Sequence, residues 1–295
     1  MLDFDDIKVS TTTIISSTNV EINLENFYQQ IPVACIQVPR HFKRKKDIEK
    51  YINDQKLPVG TILNIEYKGD IKGFKVKKRK QWTTEPNRKY FRNTLSVVII
   101  GSDNIFANVK IPSIGKLQIT GCKNMEQIYE CIKNLWSTIE KYPDVYNLKG
   151  THFYTTMRAV MTNIDFKLGF EINRQKLDTF INNYSNFHSL LETSLGYTGI
   201  NIKKEYEHRN TLIDTLEYKD GKWVSGKIYY NDYIKTLSQI ERSNELNKKR
   251  KNTFLVFCSG TTIMSGMSKE YMRDDFHEFM KFIEEHRSEI EEKLL

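Results

Sequence analysis

Histidines, cysteines and short catalytic motifs are the places where this sequence could carry out chemistry. The six histidines are scattered, and the spacing of His277 and His286 does not bring them to one face of a helix. The four cysteines show no CxxC spacing, so they predict neither a zinc site nor a disulfide framework. The sequence contains no P-loop, no GxSxG, no HExxH and no GxGxxG after a strand. We therefore predict a protein that is not an enzyme and that needs no metal or cofactor.

Basic side chains are the other candidates, because they can bind a polyanion. The chain has 45 Lys and Arg against 37 Asp and Glu, which gives a net charge of +8. Two KKRK runs, Lys77 to Lys80 and Lys248 to Lys251, are typical of phosphate contacts, of nuclear localisation signals or of solvated loops, and the sequence leaves these alternatives open. A nucleic acid is therefore one candidate partner.

The length of 295 residues allows one large domain or two of ordinary size. No apolar run is long enough to cross a membrane, and the acidic start MLDFDDIK lacks the features of a signal peptide. The sequence thus predicts an intracellular globular protein with no membrane partner.

Two segments of the chain share a similar residue pattern and predict the elements that would position a binding site. The segments VFCSGTTIMSGMSK and IPSIGKLQITGCKN both contain a turn glycine and a second glycine, Gly260 and Gly115 being 145 positions apart (260 − 115). Each segment predicts a β-hairpin that leads into an amphipathic helix, with apolar residues at helical spacing. A fixed period of this kind indicates an internal repeat.

The similarity extends upstream to a strand and a helix in each half. Asn23 and Asn173 predict the two helix N-caps, and Ile15 is expected to correspond to Met161, 146 positions away (161 − 15). Segments 58–69 and 197–206 are expected to be equivalent strands, whereas Phe91 to Ile100 is either an added strand or the real partner of the first hairpin.

Each half is thus predicted as strand, helix, strand, hairpin and helix. We expect a first repeat over 1–146, with insertions at about 38–57 and 70–92, and a second over 147–295, with an insertion at about 207–251. Two such halves predict one curved antiparallel sheet, with all four repeat helices on one face and the other face open.

The paired hairpin motif resembles the core of the TATA-box-binding protein (TBP) family, in the divergent form that large DNA viruses encode. The resemblance is closest over FLVFCSGTTIMSGMSKEYMRDDFHEFMKFI. It implies an α+β, pseudo-symmetric TBP-like saddle with its helices on the convex face. It also implies insertion of apolar wedges into the minor groove of DNA, with bending of the duplex.

The resemblance also implies the site residues. Phe257 and Tyr197 fall on wedge positions, and strand alternation puts Leu255, Ile263 and Ser265 on the face of Phe257, with Val256, Thr262 and Met264 facing the helices. In the first half the corresponding DNA-binding positions hold Pro112, Lys116, Gln118, Thr120 and Thr13. Lys116 retains the basic residue after the turn glycine, and Thr120 keeps a hydroxyl group. Pro112 replaces a wedge phenylalanine, Lys110 and Gln118 replace apolar residues, and Thr13 and Ala159 stand where the family carries asparagines. TATA specificity is therefore not expected to carry over unchanged.

Two functions follow from these expectations. The first is a transcription initiation factor, of viral type, that binds and bends A·T-rich promoter DNA and contacts general transcription factors or RNA polymerase. It would act in the nucleus or in a viral factory. The second is a saddle-fold protein-interaction module of the transcription machinery that has lost specific DNA binding.

Overall fold

The computed structural model describes residues 2–39, 44–74, 93–191, 199–207 and 209–292. The fold is mixed α+β, with a large antiparallel sheet and helices. No helix among the described residues has the length and apolar character needed to cross a membrane.

The strands and helices are numbered in chain order. The strands are β1 (Val9–Thr18), β2 (Val20–Ile22), β3 (Ile62–Tyr67), β4 (Asp70–Gly73), β5 (Thr94–Ile100), β6 (Phe106–Pro112), β7 (Lys116–Cys122), β8 (Tyr146–Leu148), β9 (Phe153–Lys167), β10 (His188–Leu191), β11 (Gly199–Tyr206), β12 (Leu212–Lys219), β13 (Lys222–Tyr229), β14 (Arg250–Phe257) and β15 (Thr261–Gly266). The helices are α1 (Leu24–Gln30), α2 (Lys45–Asp54), α3 (Met125–Ile139), α4 (Arg174–Tyr184), α5 (Tyr230–Thr236), α6 (Gln239–Leu246), α7 (Lys269–Glu285) and α8 (Arg287–Ile290).

The chain folds into two compact units. Unit 1 comprises Met1–Thr12, Ala159–Ile213 and Ile228–Leu295, and unit 2 comprises Thr13–Arg158 and Asp214–Lys227.

Unit 1 is built on five antiparallel strands in the order β10, β11, β14, β15 and β9. One face of this sheet packs on α4 and α7, because most of the alternate strand residues on that face are apolar and buried. The rings of Phe254 and Phe279 stack there with centroids 4.2 Å apart. Val256, Thr262 and Met264 are buried, as the alternation predicted.

Unit 2 contains strands in the order β1, β7, β6, β5, β3 and β4. Its main core lies between these strands and helices α1 and α3, where the apolar face of α3 is buried as predicted. The hairpin of β12 and β13 pairs with the first part of β9, Asp214 opposite Met157. The Tyr129 hydroxyl of α3 donates a hydrogen bond to Asp214 Oδ1 at 2.7 Å, and burial raises the pKa of this tyrosine.

Strand β5 pairs with β6 along its whole length, from Thr94 opposite Pro112 to Ile100 opposite Phe106. Within the segment Phe91 to Ile100, the described strand Thr94–Ile100 is therefore the real partner of the first hairpin. β14 pairs with β11 in the same way. The expected equivalence of segments 58–69 and 197–206 is wrong, because β3 pairs with β5 rather than with the hairpin.

Helix α2, within the first predicted insertion, does not share a face with α1 and α3. Its Ile48 and Ile52 pack in one apolar cluster with Val98, Ile100 and Phe106. Alternation puts these strand residues on the face opposite Val97 and Ile99, which are buried in the main core. The prediction that the other face of the sheet stays open is therefore wrong for this part of unit 2.

The two hairpin turns have matching surroundings. Gly115 and Gly260 have φ of +72° and +73°, which favours glycine. The Gly115 carbonyl accepts a hydrogen bond from Thr18 N, and the Gly260 carbonyl accepts one from Leu168 N. Both turns therefore hold the end of a neighbouring strand.

The segments after these strands also match. Ile22 N donates to the carbonyl of Ser113, and Ile172 N donates to the carbonyl of Cys258. Asn23 and Asn173 are the N-caps of α1 and α4, as predicted, each accepting from the backbone N–H three residues later. These asparagines are 150 positions apart (173 − 23), not 145 or 146.

Candidate nucleic-acid interface

The sheet of unit 1 has one face turned away from α4 and α7, which we call the strand face of unit 1. Phe257 lies on it at the end of β14, directly opposite Gly199 of β11. A Cβ at Gly199 would lie 2.8 Å from Leu255 Cδ1 and 3.4 Å from Phe257 Cε1. Because Gly199 has no side chain, the Phe257 ring and the Leu255 side chain can lie against its backbone.

An apolar row crosses this face next to Phe257. Leu255 is paired with Ile263 of β15 and with Asn201 of β11, and Asn201 is paired with Leu190 of β10. Leu190 is 64% exposed, whereas Leu255, Phe257 and Ile263 are half-buried. The row thus crosses four strands, with Asn201 between Leu190 and Leu255.

Polar side chains form the neighbouring row. Ser265 pairs with Thr253 on one side and with Asn163 on the other. Next to them on β9, Asp165 pairs with Ile263 and is exposed. The Asn163 and Asn201 Oδ1 atoms are covered but accept no hydrogen bond from any described residue.

Charged residues border these rows. Lys203 lies beside Thr253, and Lys167 lies beside Thr261. Glu205 binds Lys251 at 3.0 Å and Lys249 at 3.3 Å, and these hydrogen bonds lower the pKa of its carboxyl group. The strand face thus combines an apolar row, unpaired acceptors and cations.

The structure brings together four of the predicted site residues in unit 1: Leu255, Phe257, Ile263 and Ser265. Tyr197, the predicted partner wedge, lies outside the described residues, as do Lys77 to Lys80 of the first basic run. The sequence-based prediction missed Asn163, Asp165 and Asn201. Alternation from Phe257 across the neighbouring strands would have found them once the pairing was known.

In unit 2 the equivalent face is the one turned away from α1 and α3, the strand face of unit 2. Pro112, Lys116, Gln118 and Thr120 lie on it, since Ile111, Leu117 and Ile119 face the core. Thr120 Oγ1 donates to the carbonyl of Asn108 at 3.5 Å, and Gln118 pairs with Lys110. The α2 cluster occupies the end of this face near Phe106, away from Pro112.

Thr13 differs from the other predicted residues. Its side chain is only 5% exposed, so protein atoms already cover its hydroxyl group. We therefore leave Thr13 out of the candidate interface, which corrects the prediction made from the sequence.

Comparisons with known proteins add three findings. No protein-family model matches the chain. An uncharacterized protein, 335L, of Invertebrate iridescent virus 6 is 27% identical over 304 residues, which cover 97% of this chain and 86% of that protein. A solved structure of Methanococcus jannaschii TBP has a TM-score of 0.44 and 14% identity, with 95% of this chain and 98% of that chain covered.

Proposed function

We propose that the protein is a TBP-like transcription initiation factor that binds double-stranded DNA in the minor groove and bends it. The observation that carries the proposal is Phe257 on the strand face of unit 1, beside the apolar row and opposite Gly199. An aromatic ring at the end of a flat apolar surface is suited to insertion between base pairs.

Matching contacts in the two units support a tandem repeat of the kind that a pseudo-symmetric saddle requires. In each unit the hairpin, its partner strand, the preceding long strand and the capped helix are connected by equivalent hydrogen bonds. Gly115 corresponds to Gly260, and Asn23 corresponds to Asn173. In this alignment the counterpart of Thr13 is Asn163, not Ala159.

The proposed role is non-enzymatic, with promoter DNA and a polymerase or general transcription factors as partners. The iridovirus relative supports a viral type of this factor, which would act in the nucleus or in a viral factory. The excess of basic residues supports a DNA partner, because cations release the counterions of phosphates on binding.

A bending assay tests the proposal. Duplexes with a fluorescent donor and acceptor at their ends report bending by energy transfer during titration with the full chain. We expect bending by the wild type and at least about tenfold weaker bending by Phe257→Ala, because the ring would stabilise an unstacked step that costs a few kcal/mol. Tyr184→Ala is the matched control, since that ring is 65% exposed on α4, away from the strand face. Equal loss in both variants, or no bending by the wild type, would contradict the proposal.

Unit 2 favours a second candidate, a protein-interaction module that has lost specific DNA binding. The α2 cluster occupies part of its strand face, and Lys110, Gln118 and Pro112 replace the apolar residues that the TBP resemblance implies. This candidate predicts that the protein binds duplexes weakly, without bending and without dependence on Phe257.

A further inference from the structure

We propose that Asp165, with Asn163 beside it, makes the strand face of unit 1 select a G·C base pair at one position of the bent DNA. The inference rests on the proposed function and names a base preference for that site. Asp165 is not one of the residues that the TBP resemblance singled out, whereas Asn163 is the counterpart of Thr13, where that family carries an asparagine.

The position of Asp165 places a carboxylate among groups that would contact the floor of a groove. Asp165 is paired with Ile263, which is paired in turn with Leu255, the neighbour of Phe257 on the same face. Asp165 is exposed, and no described residue forms a hydrogen bond or an ion pair with it. Its carboxylate is therefore available to a ligand.

Asn163 lies two residues away on the same strand, with its Oδ1 atom covered by protein. Its Oδ1 atom has no donor among the described residues, while its backbone carbonyl accepts from Ser10 Oγ at 3.1 Å. Ser265 lies directly beside it on β15. The exposed acceptor of this region is therefore the Asp165 carboxylate, which stands beside Ile263 at the end of the apolar row.

The minor groove gives this acceptor one specific partner. An A·T pair presents only the acceptors adenine N3 and thymine O2 there, whereas a G·C pair adds the guanine N2 amino donor. A carboxylate can only accept, so it is repelled by an A·T pair and can bind a G·C pair. Discrimination thus comes from an attractive contact with one base pair and a repulsive contact with the other.

The N-terminal half does not share this feature. In the alignment that matches Asn23 with Asn173, the counterparts of Asn163 and Asp165 are Thr13 and Ile15. Ile15 has no acceptor, so its contact would favour A·T pairs. The expected recognition is therefore asymmetric, and the position of the G·C pair would fix the orientation of the protein on its site.

The test uses a set of A·T duplexes in which one G·C pair is moved step by step through the bent segment. We expect the affinity of the wild type, measured from the bending signal, to be about tenfold higher for one of these duplexes than for the parent duplex. A good hydrogen bond to a base edge gives discrimination of about this size. Replacing that guanine by inosine, which lacks the N2 amino group, should abolish the preference. Asp165→Asn should reduce the preference for the G·C duplex. Asp165→Ile, which introduces the residue found at the counterpart position Ile15, should show no such preference.

Glu284→Gln on α7 is the matched control, because it also removes one exposed negative charge but lies on the helix side of the sheet. It should raise affinity slightly for every duplex and leave the preference unchanged. Thermal unfolding of each variant confirms that it is folded. A G·C preference that persists in Asp165→Ile, or the lack of any G·C preference in a wild type that bends DNA, overturns this inference alone. If no duplex is bent, the proposed function is wrong and the inference is wrong with it.

Discussion

Gly260 shows how a single residue fixes the position of the hairpin that carries Phe257. A Cβ there would lie 2.2 Å from the carbonyl oxygen of Phe170, and at Gly115 a Cβ would lie 2.1 Å from the carbonyl oxygen of Val20. Both contacts are far shorter than a van der Waals contact. These glycines are therefore required by close approach of the backbone as well as by their positive φ.

We expect Gly260→Ala to lower the free energy of unfolding by about 2–4 kcal/mol, since it adds a steric clash to the strain of about 1–2 kcal/mol for a positive φ. Urea denaturation would measure this difference. Gly221→Ala is the matched control, because Gly221 has φ of +74° but no atom lies within 4 Å of the position that its Cβ would take. A loss in the control as large as that in Gly260→Ala would show that the clash with Phe170 is not important.

Helix α2 is the element whose role differs most from the expectation. The sequence-based prediction placed residues 38–57 in an insertion, and the structure packs the apolar side of α2 on the face of unit 2 that was expected to be open. Helical spacing can predict that such a segment is amphipathic. It cannot predict which side of a sheet the helix covers, because both faces of β5 carry apolar residues.

Ile52→Ala tests this packing. Ile52 is 2% exposed, so removal of its buried methyl groups should lower the free energy of unfolding by about 2–4 kcal/mol, measured by urea denaturation. Ile240→Ala on α6 serves as the control, because Ile240 is 76% exposed and should change stability by less than about 0.5 kcal/mol. Equal stability of the two variants would rule out a buried role for α2.

For the molecule as a whole, the charge of +8 predicts how the proposed binding to DNA would depend on salt. Affinity should fall linearly with the logarithm of the salt concentration, because each phosphate contact releases condensed counterions. Lys203 lies on the strand face of unit 1 beside Thr253. In the proposed complex with DNA we expect it to contact a phosphate that flanks the groove.

Lys203→Met should reduce the slope of log K against log salt by about 1 and weaken binding to all duplexes alike. The comparison is Lys281→Met on α7, where the lysine is exposed and pairs with Glu285 at 3.7 Å, on the helix side. Fluorescence anisotropy over a salt series gives both slopes. If the slopes of the two variants are equal, Lys203 does not contact DNA.

Local features could be predicted from the order of the amino acids, because these features depend on neighbours along the chain. The turn glycines, the asparagine N-caps and the amphipathic helices α3 and α7 were all predicted from residue type and spacing. The alternation along β14 and β15 also correctly separated Phe257 and Ile263 from the buried Val256 and Met264.

Only the tertiary structure decided which strands are neighbours in the sheet. A strand of given composition can pair with several partners, so the pairing of β5 with β6 and the offset of 150 between the two N-caps follow from hydrogen bonds between distant segments. Asp165 was missed for the same reason, since a carboxylate on a strand gains its significance from the side chains on the strands beside it. Burial of Thr13 and the position of α2 likewise depend on packing between segments far apart in the chain.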